Sequence, residues 1–236
     1  MDFGEGTERG EHLTRARLLR GTVGGVAGGL LAVGIAACGG GGETDTAAEP
    51  AEPTETSAAT DFGKERDPFD PDVEEAFGPG DAGIANYALT LEYLEAEFYR
   101  QVVASNLFEG PQLALLREIG ANEQQHVRAI KSLLKDVGAK AVDAPETAFE
   151  LGRAEDVLIL AADIENLGAA AYLGQATRVR NPDVLKLALS IHTTEGAHAA
   201  ALATLIDRTI TPDGSIAAPA SGKEVLKSVE PFLVKS

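Results

Sequence analysis

The chain has 236 residues, 44% of them apolar, a formal net charge of −17, four His, one Cys and no Trp. That size suits one modest domain with extensions, and the acidic balance argues against nucleic acid or an anionic membrane surface as the main partner. A single Cys excludes a disulfide within the monomer.

Residues 1–20 are polar and close with Arg15, Arg17 and Arg20, and residues 21–37 are rich in Gly, Ala, Val and Leu. Ile35-Ala36-Ala37-Cys38 follows, with small residues before a cleavage point, so residues 1–37 read as a signal peptide. The same stretch resembles the lipobox of bacterial lipoproteins. That resemblance implies that Cys38 becomes the lipid-bearing first residue. The chain would then be exported to the cell surface or periplasm, with a lipid as its only membrane anchor. Seventeen residues with six glycines are short and weakly apolar for a span, which needs about 20 apolar residues. Arg15-Ala16-Arg17 lacks the adjacent arginines of a twin-arginine signal, so the export route stays open. Residues 38–80 are expected to be a disordered tether, because Gly, Pro, Thr and Glu leave little to bury. Phe62, Phe69 and Phe77 near its end are assigned no structure.

Helical periodicity begins at Asp81, which is expected to cap a helix over about 81–105. Ala85, Ala88, Glu95, Ala96, Tyr99, Val102 and Val103 share the face of Glu92. A second helix spans about 111–137, opening on Pro111 and stopping at Gly138. A third covers about 154–180, with Glu155 and Asp156 in its first turn, where negative charge suits the helix dipole. A fourth, opening on Pro182, covers about 182–210. In the C-terminal extension, 211–236, a short helix over about 222–230 would lay Val225, Leu226 and Val229 on the bundle. No strand pattern occurs. The tight joins near 106–110 and 181 make two antiparallel hairpins. The join over roughly 138–153 reaches roughly 50 Å when extended, against about 37 Å for a 25-residue helix. It can cross the whole bundle and is expected to set the second half parallel to the first. The fold class is all-α: a four-helix bundle of two hairpins joined by a long crossover.

Within residues 81–210 the chain repeats itself. Glu123-x-x-His126 returns as Glu195-x-x-His198, and the helix carrying each pair opens on a proline. Upstream, Glu92 and Tyr99 are seven residues apart, as are Glu165 and Tyr172. Glu92 precedes Glu123 by 31 residues, and Glu165 precedes Glu195 by 30. On a helix, i and i+3 lie on one face, so each Glu-x-x-His can grip one metal. Four carboxylates facing an apolar core would have to protonate or find cations, and two divalent ions would balance them. Oxygen-rich ligation with one imidazole per metal suits iron or manganese better than structural zinc.

These residues resemble the ferritin-like di-iron and di-manganese carboxylate proteins. There, one Glu from each of two helices joins a Glu-x-x-His from each of the other two. The first-helix stretch ALTLEYLEAEFY is similar to the bacterial branch related to plant desiccation-related proteins. The resemblance implies six metal ligands: Glu92, Glu123, His126, Glu165, Glu195 and His198. It places Tyr99 and Tyr172 beside the site. Glu95 also faces inward and is the candidate additional ligand, although its counterpart in the second half is Gly168. Two Fe or two Mn ions are implied, with no choice made between them.

The function expected from this is oxygen- or peroxide-dependent redox chemistry of the ferroxidase, peroxidase or catalase type, connected with oxidative stress. No cysteine quartet exists for a rubrerythrin-type electron-transfer module. The alternatives are a non-enzymatic stress or desiccation-related structural protein and a metal-sequestering protein. Metal ions and oxygen or peroxide are the expected partners. Substrate, electron donor and assembly into a homo-oligomer stay open.

Overall fold

The computed structural model describes residues 70–234; the signal segment, Cys38 and the chain up to residue 69 lie outside the described residues. Among the described residues there are six α-helices: α1 Pro71–Phe77, α2 Gly80–Ala104, α3 Gly110–Asp136, α4 Ala154–Ala176, α5 Pro182–Leu205 and α6 Gly222–Val229. A 3-10 turn, Glu230–Phe232, follows α6. Among the described residues there is no strand, only an isolated bridge between Thr147 and Leu233. Helices α2 to α5 form the four-helix bundle.

Local signals explain most boundaries. Pro111 and Pro182 sit in the first turns of α3 and α5, and the Asn181 side chain accepts from the N–H groups of Asp183 and Val184. Beyond α3, Gly138 takes φ 74°, and Ala139 N–H reaches back to Leu134 O at 2.8 Å. That is the left-handed glycine stop. Helix α5 ends at Leu205 rather than near 210, because Asp207 turns to φ 53° and Arg208 N–H closes back on Ala203 O. Helix α4 likewise stops at Ala176 rather than 180. Asp81 is not the cap expected of it. The N-cap of α2 is Pro79, and Asp81 lies inside the first turn. Its carboxylate accepts from Arg180 N–H at 2.9 Å and Asn181 N–H at 2.6 Å, holding the turn between α4 and α5.

Side-chain pairing shows the topology. Tyr99 meets Glu165 while Tyr172 meets Glu92, so α4 runs antiparallel to α2. His126 meets Glu195 while Asn122 meets His198, so α5 runs antiparallel to α3. Helices α3 and α4 are therefore parallel, and the join between them crosses the bundle lengthwise. Its path is pinned at both ends of α2. The Asn86 side-chain amide donates to Lys140 O and accepts from Val142 N–H, and further on Phe149 packs edge-on against Phe98 with ring centroids 5.1 Å apart. Asn86 and Phe98 are about 18 Å apart along the helix axis. The crossover is thus as expected, but the second hairpin runs opposite to the first rather than parallel to it. A rotation by half a turn about an axis across the bundle exchanges the two.

The flanking segments close the bundle. Asp70, assigned above to the tether, is buried. Its carboxylate caps α1 at Val73 N–H and accepts from Gln175 of α4 at 2.8 Å and Gly222 N–H of α6 at 2.9 Å. Residues 71–77 are therefore a packed helix, with Val73 in the core. Helix α6 buries Val225 and Val229, with Leu226 against them. Its N-cap is a full capping box between Ser221 and Glu224. Helix α4 is long and apolar enough to cross a membrane by composition alone. Here it is an inner wall of the bundle, covered by α2, α5 and α6.

Candidate metal centre

The four central helices bring Glu92, Glu123, Glu165 and Glu195 to one level, each 0% exposed, with His126 and His198 nearly as deep. Burying four carboxylates among Leu, Ala and Tyr is costly unless each finds protons or cations. The cluster resolves into two overlapping groups: Glu92, Glu123, His126 and Glu195, and Glu123, Glu165, Glu195 and His198. In each group one donor atom from every residue lies within 4.8 Å of the others. Glu123 and Glu195 belong to both groups and stand between the two positions. Glu92 and His126 serve one position alone, and Glu165 and His198 the other.

The contact geometry has the same pattern. His126 Nδ1 lies 2.8 Å from Glu123 Oε2, 3.1 Å from Glu92 Oε2 and 3.2 Å from Glu195 Oε1. His198 Nδ1 lies 3.0 Å from Glu165 Oε2 and 3.0 Å from Glu123 Oε1. One ring nitrogen supplies a single proton or a single lone pair, so it cannot satisfy two or three carboxylates at once. Accordingly Glu123 Oε1 and both oxygens of Glu195 are buried without a hydrogen-bond donor. A divalent cation beside each imidazole would take up these oxygens. The donor set, oxygen-rich with one nitrogen per position, fits iron or manganese.

Without a cation the charges are managed by protons. Burial, together with the Glu123 carboxylate nearby, raises the Glu92 pKa to about 7 against the pull of His126 and Tyr172. Burial and neighbouring carboxylates push Glu195 and Glu95 well above the usual range, and burial likewise raises Glu165. Burial opposes ionisation of Glu123 too, yet hydrogen bonds from both histidines prevail and hold its pKa down to about 2. Burial works against a charged His126 and His198, but the carboxylates outweigh it and lift them to about 12 and about 9. The metal-free cluster therefore keeps protons that a metal would displace.

Around this core the tyrosines cross between the halves. Tyr99 O–H donates to Glu165 Oε1 and Tyr172 O–H donates to Glu92 Oε1, each at 2.5 Å. Each tyrosine thus orients the outer carboxylate of the opposite hairpin, not the one on its own helix. Glu95 is buried beside this set but belongs to neither four-residue group. Its place depends on Gly168. A Cβ on Gly168 would come within 2.8 Å of Glu95 Oε1 and 2.9 Å of Glu195 Oε2. The missing side chain is the space that the extra carboxylate occupies.

Asn122 was not singled out by sequence reasoning. Its side-chain amide lies 3.1 Å from His198 Nε2. The near atom is the amide nitrogen, so with the ring proton on Nδ1 toward the carboxylates, Nε2 accepts from the Asn122 side-chain N–H. The available signal was its position, directly before a Glu-x-x-His and one turn from the ligand face. His192, whose counterpart is Gly120, donates Nδ1–H to Ala169 O at 3.0 Å and takes no part in the cluster.

Among solved structures, a conserved hypothetical protein from Mycobacterium tuberculosis is similar at 19% identity and a TM-score of 0.49, over 54% of this chain and 90% of that one. A hypothetical protein from Methanococcus jannaschii is similar at 19% identity and a TM-score of 0.42, over 60% of this chain and 89% of that one. No curated protein matches the chain. The Ferritin-like domain family matches residues 80–208, which is more than half of the chain and includes every residue of the cluster. The chain therefore belongs to the ferritin-like domain family.

Proposed function

We propose that the bundle holds two iron or two manganese ions and uses them in oxygen- or peroxide-dependent redox chemistry, as a ferroxidase or peroxide scavenger. The observation that carries this reading is the shared pair Glu123 and Glu195, of which Glu123 Oε1 and both Glu195 oxygens are buried without a donor between two equivalent Glu-His positions. The bound metals would supply electron exchange with the oxidant. The protein's part is to hold them. Glu92 and His126 would bind one ion, Glu165 and His198 the other, and Glu123 and Glu195 would bridge them. Hard anionic carboxylates favour the higher oxidation state. Tyr99 and Tyr172 keep the outer carboxylates aimed inward, and the leucines and alanines around the cluster exclude bulk water. The carboxylates and imidazoles hold protons in the metal-free chain that bound metal would displace. The resemblance of residues 35–38 to a lipobox supports export and anchoring through a lipid on Cys38.

The test is elemental analysis of the full chain beside a Glu123→Ala, Glu195→Ala double variant, followed by turnover assays with oxygen and peroxide. About two metals per chain, lost in the variant, with sustained consumption of oxidant, are expected from two such positions. Retained metal without turnover would point instead to a structural, stress-related bundle or to sequestration. A chain that takes up neither Fe(II) nor Mn(II) under anaerobic reconstitution sinks the redox reading.

A further inference from the structure

The half-turn relating the hairpins makes the two ends of the bundle controls for one another. It pairs α2 with α4 at an offset of 73 residues, as Glu92 with Glu165, and α3 with α5 at an offset of 72, as Glu123 with Glu195. At one end the core contains Phe98, Leu158 and Leu116, all buried. Their counterparts at the other end are Ala171, Ala85 and Ala188. Three large side chains have become three methyl groups, and a cavity of about 30 Å³ lies among them, walled by all four helices. Interiors pack closely and an unfilled void forfeits dispersion contacts, so a cavity built from the small member of each pair is unlike ordinary core packing.

The cavity adjoins the candidate metal centre, and Tyr172 links the two. Tyr172 lines it and donates its O–H to Glu92 Oε1. Tyr87 and Gln175 also line it, but the surface facing the cavity is almost wholly hydrocarbon, including Ala88, Ile130 and Ile191. A water in such a space would want two to four polar partners, and apolar cavities stay dry and take up apolar molecules instead. The volume is about two or three times the minimum that holds one water, which suits a diatomic molecule and excludes a chain. We propose that this cavity is a dioxygen-binding pocket that delivers the gas past Tyr172 to the Glu92 side of the cluster. Delivery rests on the redox reading above; binding does not.

Both parts can be measured. In the metal-free full chain under oxygen pressure, paramagnetic relaxation of the Ala88, Ala171, Ile130 and Ile191 methyl groups should exceed that of other buried methyls. Restoring the larger counterpart with Ala188→Leu, or separately with Ala85→Leu, should abolish the excess. Uniform relaxation across the core, or ordered water filling the cavity in a crystal, would overturn the pocket whether or not the chain binds metal. In the Fe(II)-loaded chain, Ala188→Leu should slow iron oxidation by dissolved oxygen several-fold. Oxidation by hydrogen peroxide and iron content should not change, since a polar oxidant has no use for an apolar route. An unchanged rate with oxygen, or equal slowing with both oxidants, would overturn delivery.

Discussion

The two hairpins of this bundle are equal where they hold the cluster and unequal at several positions around it. Each supplies one outer Glu, one Glu shared by both groups, one His and one Tyr, and a half-turn exchanges the sets. Around them, Glu95 faces Gly168, His192 stands where the first half has Gly120, and Asn122 supports His198 alone. A duplicated scaffold keeps the ligands because removing one would leave the other buried charges uncompensated. The positions behind the ligands are free of that constraint and are where the halves can acquire separate roles.

The shared feature gives the largest expected effect. In the metal-free chain Glu92 binds its proton more tightly folded than unfolded, with a pKa of about 7 against 4.5. Stability must then fall as pH rises from 4.5 to about 7 and level off above that. Glu165, Glu95 and Glu195, also raised, act in the same direction. His126 adds stability that is full below 6.5 and fades as pH climbs toward about 12. Glu123 opposes them only in acid, where its contribution is lost as pH falls from 4.5 toward about 2. The thermal midpoint of the metal-free chain should therefore drop between about pH 5 and about pH 8, by the equivalent of a few kcal/mol. The stabilisation gained on adding metal should grow over the same interval, because metal displaces those protons. A metal-free midpoint that rises with pH would break the charge assignment.

Next come the two outer carboxylates, a direct test of equality. On the proposed reading, Glu92→Ala and Glu165→Ala each remove a ligand from one position and leave the other complete. Each variant should retain about one metal per chain where the parent holds about two. Loss of both metals in either variant would show that the positions fill only together. Unequal loss would show that the surroundings already distinguish them.

How far this arrangement could be read from sequence depends on the kind of signal. The six cluster residues are visible because helical spacing and duplication both point to them, and each Glu-x-x-His has a copy in register. The α-helical class and the hairpins follow from the prolines, Gly138 and the short joins. Helix α1 was missed although Asp70-Pro71 is a good start signal. Seven residues do not hold a helix alone, and the contacts of Asp70 with Gln175 and Gly222 lie far away in the chain. The ends of α4 and α5 overran because their apolar pattern continues past the residues that turn the backbone. The antiparallel setting of the halves needed spatial contacts, since loop length permits a crossover without fixing what it joins. Gly168 was visible as a difference from Glu95, but its meaning required seeing one carboxylate fill the space left by the other.

Asn122→Ala sharpens the comparison from outside the ligand set. It removes the partner of His198 Nε2 and leaves the carboxylate contacts of His126 in place. Loss of such a support weakens metal affinity by about 10- to 100-fold. Competition with a chelator should show that loss at one of the two positions only. Equal weakening at both would mean that Asn122 acts through the fold and not through His198.

The smallest effect is expected at Gly168. An alanine there gains about 1 kcal/mol of helix propensity, but its methyl would press on Glu95 Oε1 and Glu195 Oε2 at under 3 Å. Overpacking of a filled core costs about 1–3 kcal/mol, so Gly168→Ala should lower stability by about 1 kcal/mol net. The neighbour that must yield is a side chain, which makes the cost removable. In a Glu95→Ala background the obstruction from Glu95 is gone, and Gly168→Ala should become neutral or stabilising by denaturant unfolding of the metal-free chain. That sign change is a coupling energy between residues in contact. Its absence would mean that Gly168 is small to accommodate Glu195, a residue both positions share, and the asymmetry at Glu95 would need another origin.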